Sequence, residues 1–328
     1  MGIDTIFGKS RIRKNACLPA GRCLKLNSFF SNSANYRPAT RRRRKKHMKS
    51  NRNFMEMFRA KQEMGKSVCI GIDTRFADIP KCMRGRYGSR RYETRIMFNN
   101  SIISQTHDIV CAYMADDAFY RMDAEALRVT VQRARAFAPD VPFVLGCYGG
   151  GVEHSNAALI EYAFDYIGAD AIAVNPYFGR RGGLEPFLNL KNKGVIVLCR
   201  TSNQGVEDFQ NILSAAEGVP LWKTVAWRVA SYWNDNSNCA LLMGPTSHGE
   251  LSQVRSIVPH MPIFVTGIGQ QNETGRIEED DVREIVVNGR NGDGRGFVVC
   301  SSRGVILAPN PRQETERLHR LVEKYRGE

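Results

Sequence analysis

No stretch of the 328-residue chain approaches the roughly 18 consecutive apolar residues of a membrane-spanning helix, so insertion into a membrane by a helix is not expected. No C-x-x-C occurs among the nine cysteines (Cys17, Cys23, Cys69, Cys82, Cys111, Cys147, Cys199, Cys239 and Cys300), so neither a zinc site nor a thioredoxin-type motif is indicated. Cys69, Cys111, Cys199 and Cys300 sit inside apolar runs, the usual setting of buried, reduced thiols. Acid is almost missing from the first 52 residues. They hold 15 of the 47 Lys and Arg but one of the 33 acids, Asp4, which leaves 32 of each sign for the rest. The net charge of +14 is therefore a property of the leader, and the body is close to neutral.

That leader, residues 1–52, is rich in Arg, Lys, Ser and Asn with short apolar patches at 17–20 and 26–30, the composition of a mitochondrial presequence. It predicts a protein of the mitochondrial matrix. The run Arg41-Arg42-Arg43-Arg44-Lys45-Lys46 also fits a nuclear signal or an RNA-phosphate clamp, which keeps the nucleus open as the alternative.

From Phe54 onward, short apolar β-rich runs alternate with longer amphipathic segments, the order of a parallel sheet covered by helices. Strands are expected at Ser67–Ile72, Ile109–Tyr113, Phe143–Leu145, Ala171–Val174, Gly194–Leu198, Cys239–Met243, Ile263–Thr266 and Gly296–Val299. Helices are expected at Arg91–His107, Ala124–Ala138, Ser155–Ile167, Gly183–Lys191, Val206–Ala216, Leu221–Trp233, Glu250–Val258, around Asp280–Asn288, and at Pro311–Arg326. Eight such units over residues 53–328 predict an α/β fold, a (β/α)8 TIM barrel, with an open doubly wound sheet as the alternative.

Three segments carry a resemblance: Cys69-Ile70-Gly71-Ile72-Asp73, the stretch from Ala169 to Gly179 (ADAIAVNPYFG), and Val197-Leu198-Cys199-Arg200-Thr201-Ser202-Asn203. Thr266-Gly267-Ile268-Gly269-Gln270-Gln271 and Cys300-Ser301-Ser302-Arg303-Gly304 continue it in the same order. From about Phe54 to Leu307 the chain resembles the longer, bacterial-type branch of the orotidine 5'-monophosphate (OMP) decarboxylases. The resemblance implies a cofactorless homodimeric barrel whose reaction passes through a vinylic carbanion, served by a network of two Lys and two Asp.

In that alignment the loop after the third strand, normally Asp-x-Lys-x-x-Asp, reads Gly146-Cys147-Tyr148-Gly149-Gly150-Gly151. Gly146, Tyr148 and Gly151 stand where Asp, Lys and Asp are expected, and Met114 stands where the other Lys would follow the second strand. A catalytically degenerate relative is therefore expected, with no decarboxylation. A relocated His–carboxylate pair from Asp116, Asp117, Glu153 and His154 is the rival chemistry.

The resemblance also implies a retained nucleotide set: Asp73 to ribose, Ser202 to pyrimidine, Gln271 and Arg303 to phosphate, with Thr266 and Asn272-Glu273 departing from the family pattern. Its ligand would be UMP-like. The Gly149–Gly151 run lacks the Lys-Ser/Thr of a phosphate loop, and the polar clusters 234–238 and 289–295 lack calcium-loop spacing. Arg84, Arg86, Arg90, Arg91 and Arg95 with Tyr87 and Tyr92 offer an RNA-contact patch or a basic surface helix. Together these readings predict a pseudoenzyme serving as a structural or RNA-associated subunit of a mitochondrial ribonucleoprotein or other large assembly. The alternatives are a pyrimidine-nucleotide-binding regulator and an enzyme with altered chemistry. A homodimer or a heterodimer with a related barrel is expected.

Overall fold

The computed structural model describes residues 52–86, 90–245, 248–268 and 276–328. The basic leader through residue 51, with its presequence-like composition and the 41–46 run, lies outside the described residues.

The eight expected strands form. β1 (Val68–Gly71), β2 (Ala112–Asp116), β3 (Phe143–Gly146), β4 (Ala171–Val174), β5 (Gly194–Arg200), β6 (Cys239–Met243), β7 (Ile263–Thr266) and β8 (Phe297–Ser301) pair in parallel in sequence order. β8 then pairs with β1, placing Cys300 opposite Cys69, so the sheet is a closed barrel and the open-sheet alternative is excluded.

Both faces of each strand are apolar because both are covered. Inward, Cys69, Ala112, Met114, Val144, Ala171, Ala173, Ala240, Leu242, Phe264 and Cys300 share one core. Outward, Val68, Ile70, Tyr113, Phe143, Leu145, Ile172 and Val174 pack in a second core with residues of the surrounding helices. Alternation of period 2 along each strand assigns the two sets.

The helices are α1 (Phe54–Glu63), α2 (Lys81–Arg86), α3 (Arg91–Thr106), α4 (Ala124–Phe137), α5 (Glu153–Ile160), α6 (Glu185–Leu188), α7 (Leu221–Arg228), α8 (His248–Ile257), α9 (Glu279–Gly289), α10 (Arg303–Ile306) and α11 (Pro311–Arg326). Wider π turns at Glu161–Ile167 and Val229–Trp233 extend α5 and α7. None of the described helices is long and apolar enough to cross a membrane.

α1 was not anticipated, although its start is written in the sequence: the Asn53 side chain accepts from the Met55 and Glu56 amides at 3.0 and 3.2 Å. The helix fills space that four inward alanines leave open. Phe54 and Phe58 stack at 6.0 Å, and Phe58 meets Phe264 at 5.7 Å. A Cβ on Gly194 would lie 2.2 Å from the Phe54 ring, so this strand start has to be glycine.

Three other expectations are corrected. Arg52 was assigned to the leader, yet it belongs to the barrel, where its guanidinium grips the buried Asp170 carboxylate at 2.8 and 2.9 Å. The second strand starts at Ala112 rather than Ile109, because the Ile109 and Val110 amides close the end of α3 onto the Thr106 carbonyl. Val206–Ala216 is not a helix; only a 3-10 turn forms at Gln204–Asp208. The Gln210 side chain folds back onto the Thr201 amide and hydroxyl at 2.8 and 2.7 Å, Leu213 bridges to Pro220, and Phe209, Ile212 and Leu213 stay exposed. Only Val206 of its apolar side chains is well buried, too little to hold a helix through residue 216.

Candidate functional site

The C-terminal ends of the strands surround a cavity of about 370 Å³, the end of a barrel where loops assemble sites. Its lining includes Gly71 at the end of β1, Asp73 and Arg75 after it, Met114 and Asp116 on β2, Tyr148 after β3, Ser202 after β5, Thr266 and Gly267 at β7, and Cys300, Ser302 and Arg303 at β8.

Asp73 organises one side. Its Oδ1 accepts the Asp116 backbone N–H at 2.8 Å, and its Oδ2 accepts the Ser302 hydroxyl. This brace ties β8, β1 and β2 together across the mouth. It also explains Gly71, where a Cβ would fall 1.9 Å from Ser302 Oγ and 2.7 Å from Asp73 Oδ2. Burial pushes the Asp73 carboxyl up, and the Asp116 charge adds to this; the bonds from Ser302 and the Asp116 amide, and the Arg303 charge, act the other way.

Asp116 is half-buried, and its carboxylate accepts the Ala118 N–H at 2.9 Å. Burial, followed by the neighbouring Asp117, raises its pKa. Two carboxylates thus face the cavity from adjacent strands.

The cations are placed differently. Arg75 is committed to Asp78 at 2.7 and 3.1 Å. Arg303 is exposed at the β8 side, and its guanidinium has no hydrogen-bond or ion-pair partner among the described residues. No lysine lines the cavity among the described residues. The undescribed stretch 269–275 contains neither Lys nor Arg.

Met114 is 5% exposed and occupies the floor. A Cβ built on Gly146 would approach the Met114 methyl and the Asp116 Cα at 3.3 Å, so the methionine and the glycine are packed as a pair. Tyr148, 37% exposed, lines the rim; burial and the charges of Asp116 and Asp73 push its phenol up, keeping it protonated and weakly acidic. Ser202 sits against Gly244, where a Cβ would lie 2.5 Å from the serine Cβ, and its hydroxyl has no partner among the described residues.

Of the expected nucleotide set, the cavity brings together Asp73, Ser202 and Arg303. Gln271, with Asn272 and Glu273, lies outside the described residues. Gly151 is not among the lining residues: its N–H donates to Asn156 Oδ1 at 2.9 Å and its carbonyl accepts from Asn156 Nδ2 at 2.8 Å, so its amide is not free to hold an anion. Glu153 and His154 are exposed on α5, and Asp117 is held by Tyr162 and Arg121, so no His–carboxylate pair assembles.

These relationships agree with the comparisons. Residues 154–318 match the model of the orotidine 5'-phosphate decarboxylase / HUMPS family. Orotidine 5'-phosphate decarboxylases of Cellvibrio japonicus and a Janthinobacterium strain are 34% and 35% identical over 74% and 78% of this chain, and 85% and 90% of their own lengths. The Leishmania donovani OMP decarboxylase structure superposes with a TM-score of 0.70 at 26% identity, over 84% of this chain and 99% of that one.

The chain belongs to the orotidine 5'-phosphate decarboxylase family.

This is a family of enzymes, and that membership corrects the functional expectation. The structural or RNA-associated subunit and the nucleotide-sensing regulator are both overturned by relatives named for an enzyme and matched over most of their length. The arginine patch gives RNA no support either. Arg95 is buried against the Phe119 carbonyl and Asp123, Arg84 bonds the Ile79 carbonyl, and Arg91 stacks over Phe76 at 4.7 Å.

Ser302 and Cys300 are lining residues of this decarboxylase-family barrel that sequence reasoning did not single out, and Asp116 lines the cavity beside Asp73 rather than serving in a His–carboxylate pair. The signal was available for Ser302: it follows β8 directly, beside the arginine that was singled out.

Proposed function

We propose that the barrel mouth takes a pyrimidine nucleoside 5'-monophosphate, and that Met114, Gly146, Tyr148 and Gly151 have replaced the Lys/Asp network that its relatives' decarboxylation requires. The observation carrying this reading is the charge arrangement of the cavity: one uncommitted arginine at the β8 side, two carboxylates across β1 and β2, and no lysine among the described lining residues.

A planar guanidinium with free donors suits a phosphate. Asp73, held by Ser302 and the Asp116 amide, is a fixed acceptor for ribose hydroxyls, and the open Ser202 hydroxyl faces the cavity from β5. The cavity volume falls within the range of about 300–1,000 Å³ common for small-molecule sites.

Loss of CO2 from a pyrimidine nucleotide leaves an electron pair on a ring carbon. Stabilising it calls for a nearby cation and an acid ready to give a proton. Met114 offers neither, Gly146 has no side chain, and Tyr148 holds its proton more tightly than a free phenol does. Asp73 and Asp116 would oppose the developing negative charge.

Titration calorimetry with UMP, together with the pyrimidine absorbance of OMP incubated with the protein, tests the reading. Saturable UMP binding with an unchanged OMP spectrum is expected. No UMP binding, or a spectrum that converts to that of UMP, would overturn it.

A further inference from the structure

We propose that Asp116 is a specificity-determining residue that makes this site favour a nucleoside 5'-monophosphate with no charge on pyrimidine C6 over its 6-carboxylated counterpart. The inference rests on the nucleotide reading above and concerns which nucleotide is taken.

Around the mouth, the elements run β8, β1, β2, and the charge changes sign in that order: Arg303, then Asp73, then Asp116. With the phosphate on Arg303 and the ribose at Asp73, the base is set between Asp116 on β2 and Ser202 after β5, which line the same cavity. C6 is the ring carbon next to N1, the atom bonded to ribose, so a substituent on C6 stays close to the groups that hold the sugar. Asp116 is the neighbour of Asp73 there, joined to it by its own N–H at 2.8 Å.

No direct ion pair neutralises Asp116 among the described residues; the Arg121 charge acts on it only while bonded to the neighbouring Asp117. Among those residues its carboxylate accepts the Ala118 N–H alone. Arg121, the nearest basic residue in sequence, is at 3.3 Å from Asp117, and Arg75 is taken by Asp78. Met114, two residues before Asp116 on β2, lines the same cavity, and its side chain can offer a carboxylate no hydrogen bond. A 6-carboxylate would meet two like charges in a half-buried setting, where water screens them incompletely.

Calorimetric titration of the full chain with UMP and with OMP, repeated on Asp116→Asn, tests this. Asn keeps an acceptor for the Ala118 amide and leaves the backbone bond to Asp73 in place. UMP is expected to bind about tenfold more tightly than OMP, and Asp116→Asn to narrow that ratio to about threefold or less. The wild-type ratio stands without the variant, and Asp116→Ser gives the same readout with a smaller side chain. OMP binding as tightly as UMP, or a ratio unchanged in both variants, overturns the role of Asp116 while leaving the nucleotide site intact. Binding of neither nucleotide overturns the nucleotide reading itself, and the selectivity falls with it.

Discussion

Replacing Arg52 with methionine removes the residue that anchors the start of the barrel to Asp170, just before β4, and to the Pro139 and Val141 carbonyls; the electrostatic part of its cost can be worked from the four contacts of Asp170. Asp170 is 1% exposed and accepts the Arg52 Nε and Nη2 donors at 2.8 and 2.9 Å, Arg135 Nη2 at 3.1 Å and the Phe143 N–H at 3.0 Å. Removing one partner of a buried ion pair costs about 3–5 kcal/mol when the remaining charge is left uncompensated. Here Arg135 and the Phe143 amide remain, so a loss of about 2–3 kcal/mol is expected for Arg52→Met at pH 7. Urea unfolding followed by circular dichroism reads it as a lower midpoint with an unchanged slope.

The pH dependence gives a second arm. Burial alone would raise the Asp170 carboxyl, but the Arg52 bonds and the Arg52 and Arg135 charges reverse this and hold it below the usual carboxylate range. A carboxyl depressed in the folded state contributes stability above its unfolded pKa, about 3.9, and loses it as pH falls through the folded value. The gap between wild type and Arg52→Met should therefore be full above pH 5 and shrink below pH 4. A change under about 0.5 kcal/mol at pH 7, or a gap that widens in acid, would refute the assignment of Arg52 to the barrel.

Two further perturbations follow from the packing and the site. Phe58→Ala empties the plug between Phe54 and Phe264 and should cost about 3–5 kcal/mol in the same unfolding assay; a loss below 1 kcal/mol would mean that α1 does not fill the barrel. Arg303→Ala removes an exposed guanidinium with no hydrogen bond or ion pair among the described residues, so the melting temperature should hold while UMP affinity falls roughly 10–100-fold by calorimetry. Unchanged affinity would place the phosphate elsewhere.

Much of the barrel was legible because strands buried on both faces read as short apolar runs, and runs such as Cys239–Met243 and Ile263–Thr266 coincide with observed strands. Less was legible where local and tertiary preferences part. The apolar content of Val206–Ala216 suggests a helix, but Phe209, Ile212 and Leu213 find no face to bury against. Arg52 reads as one more cation of a basic leader until Asp170, 118 residues away, is brought to it.

At the site, the resemblance to the decarboxylases anticipated the convergence of Asp73, Ser202 and Arg303. The brace from Ser302 through Asp73 to the Asp116 amide was not legible, because it depends on three strand ends meeting across the closure of the barrel. The same closure explains Gly71, whose need for a bare backbone comes from a serine more than 200 residues later.

Release of labelled CO2 from carboxyl-labelled OMP, measured with protein at site-stoichiometric concentration, asks directly whether this cavity decarboxylates. No release above the protein-free control is expected from a preparation that binds UMP in the same buffer. One equivalent released per site, or turnover beyond it, would contradict the proposal that Met114, Gly146, Tyr148 and Gly151 replace the Lys/Asp network.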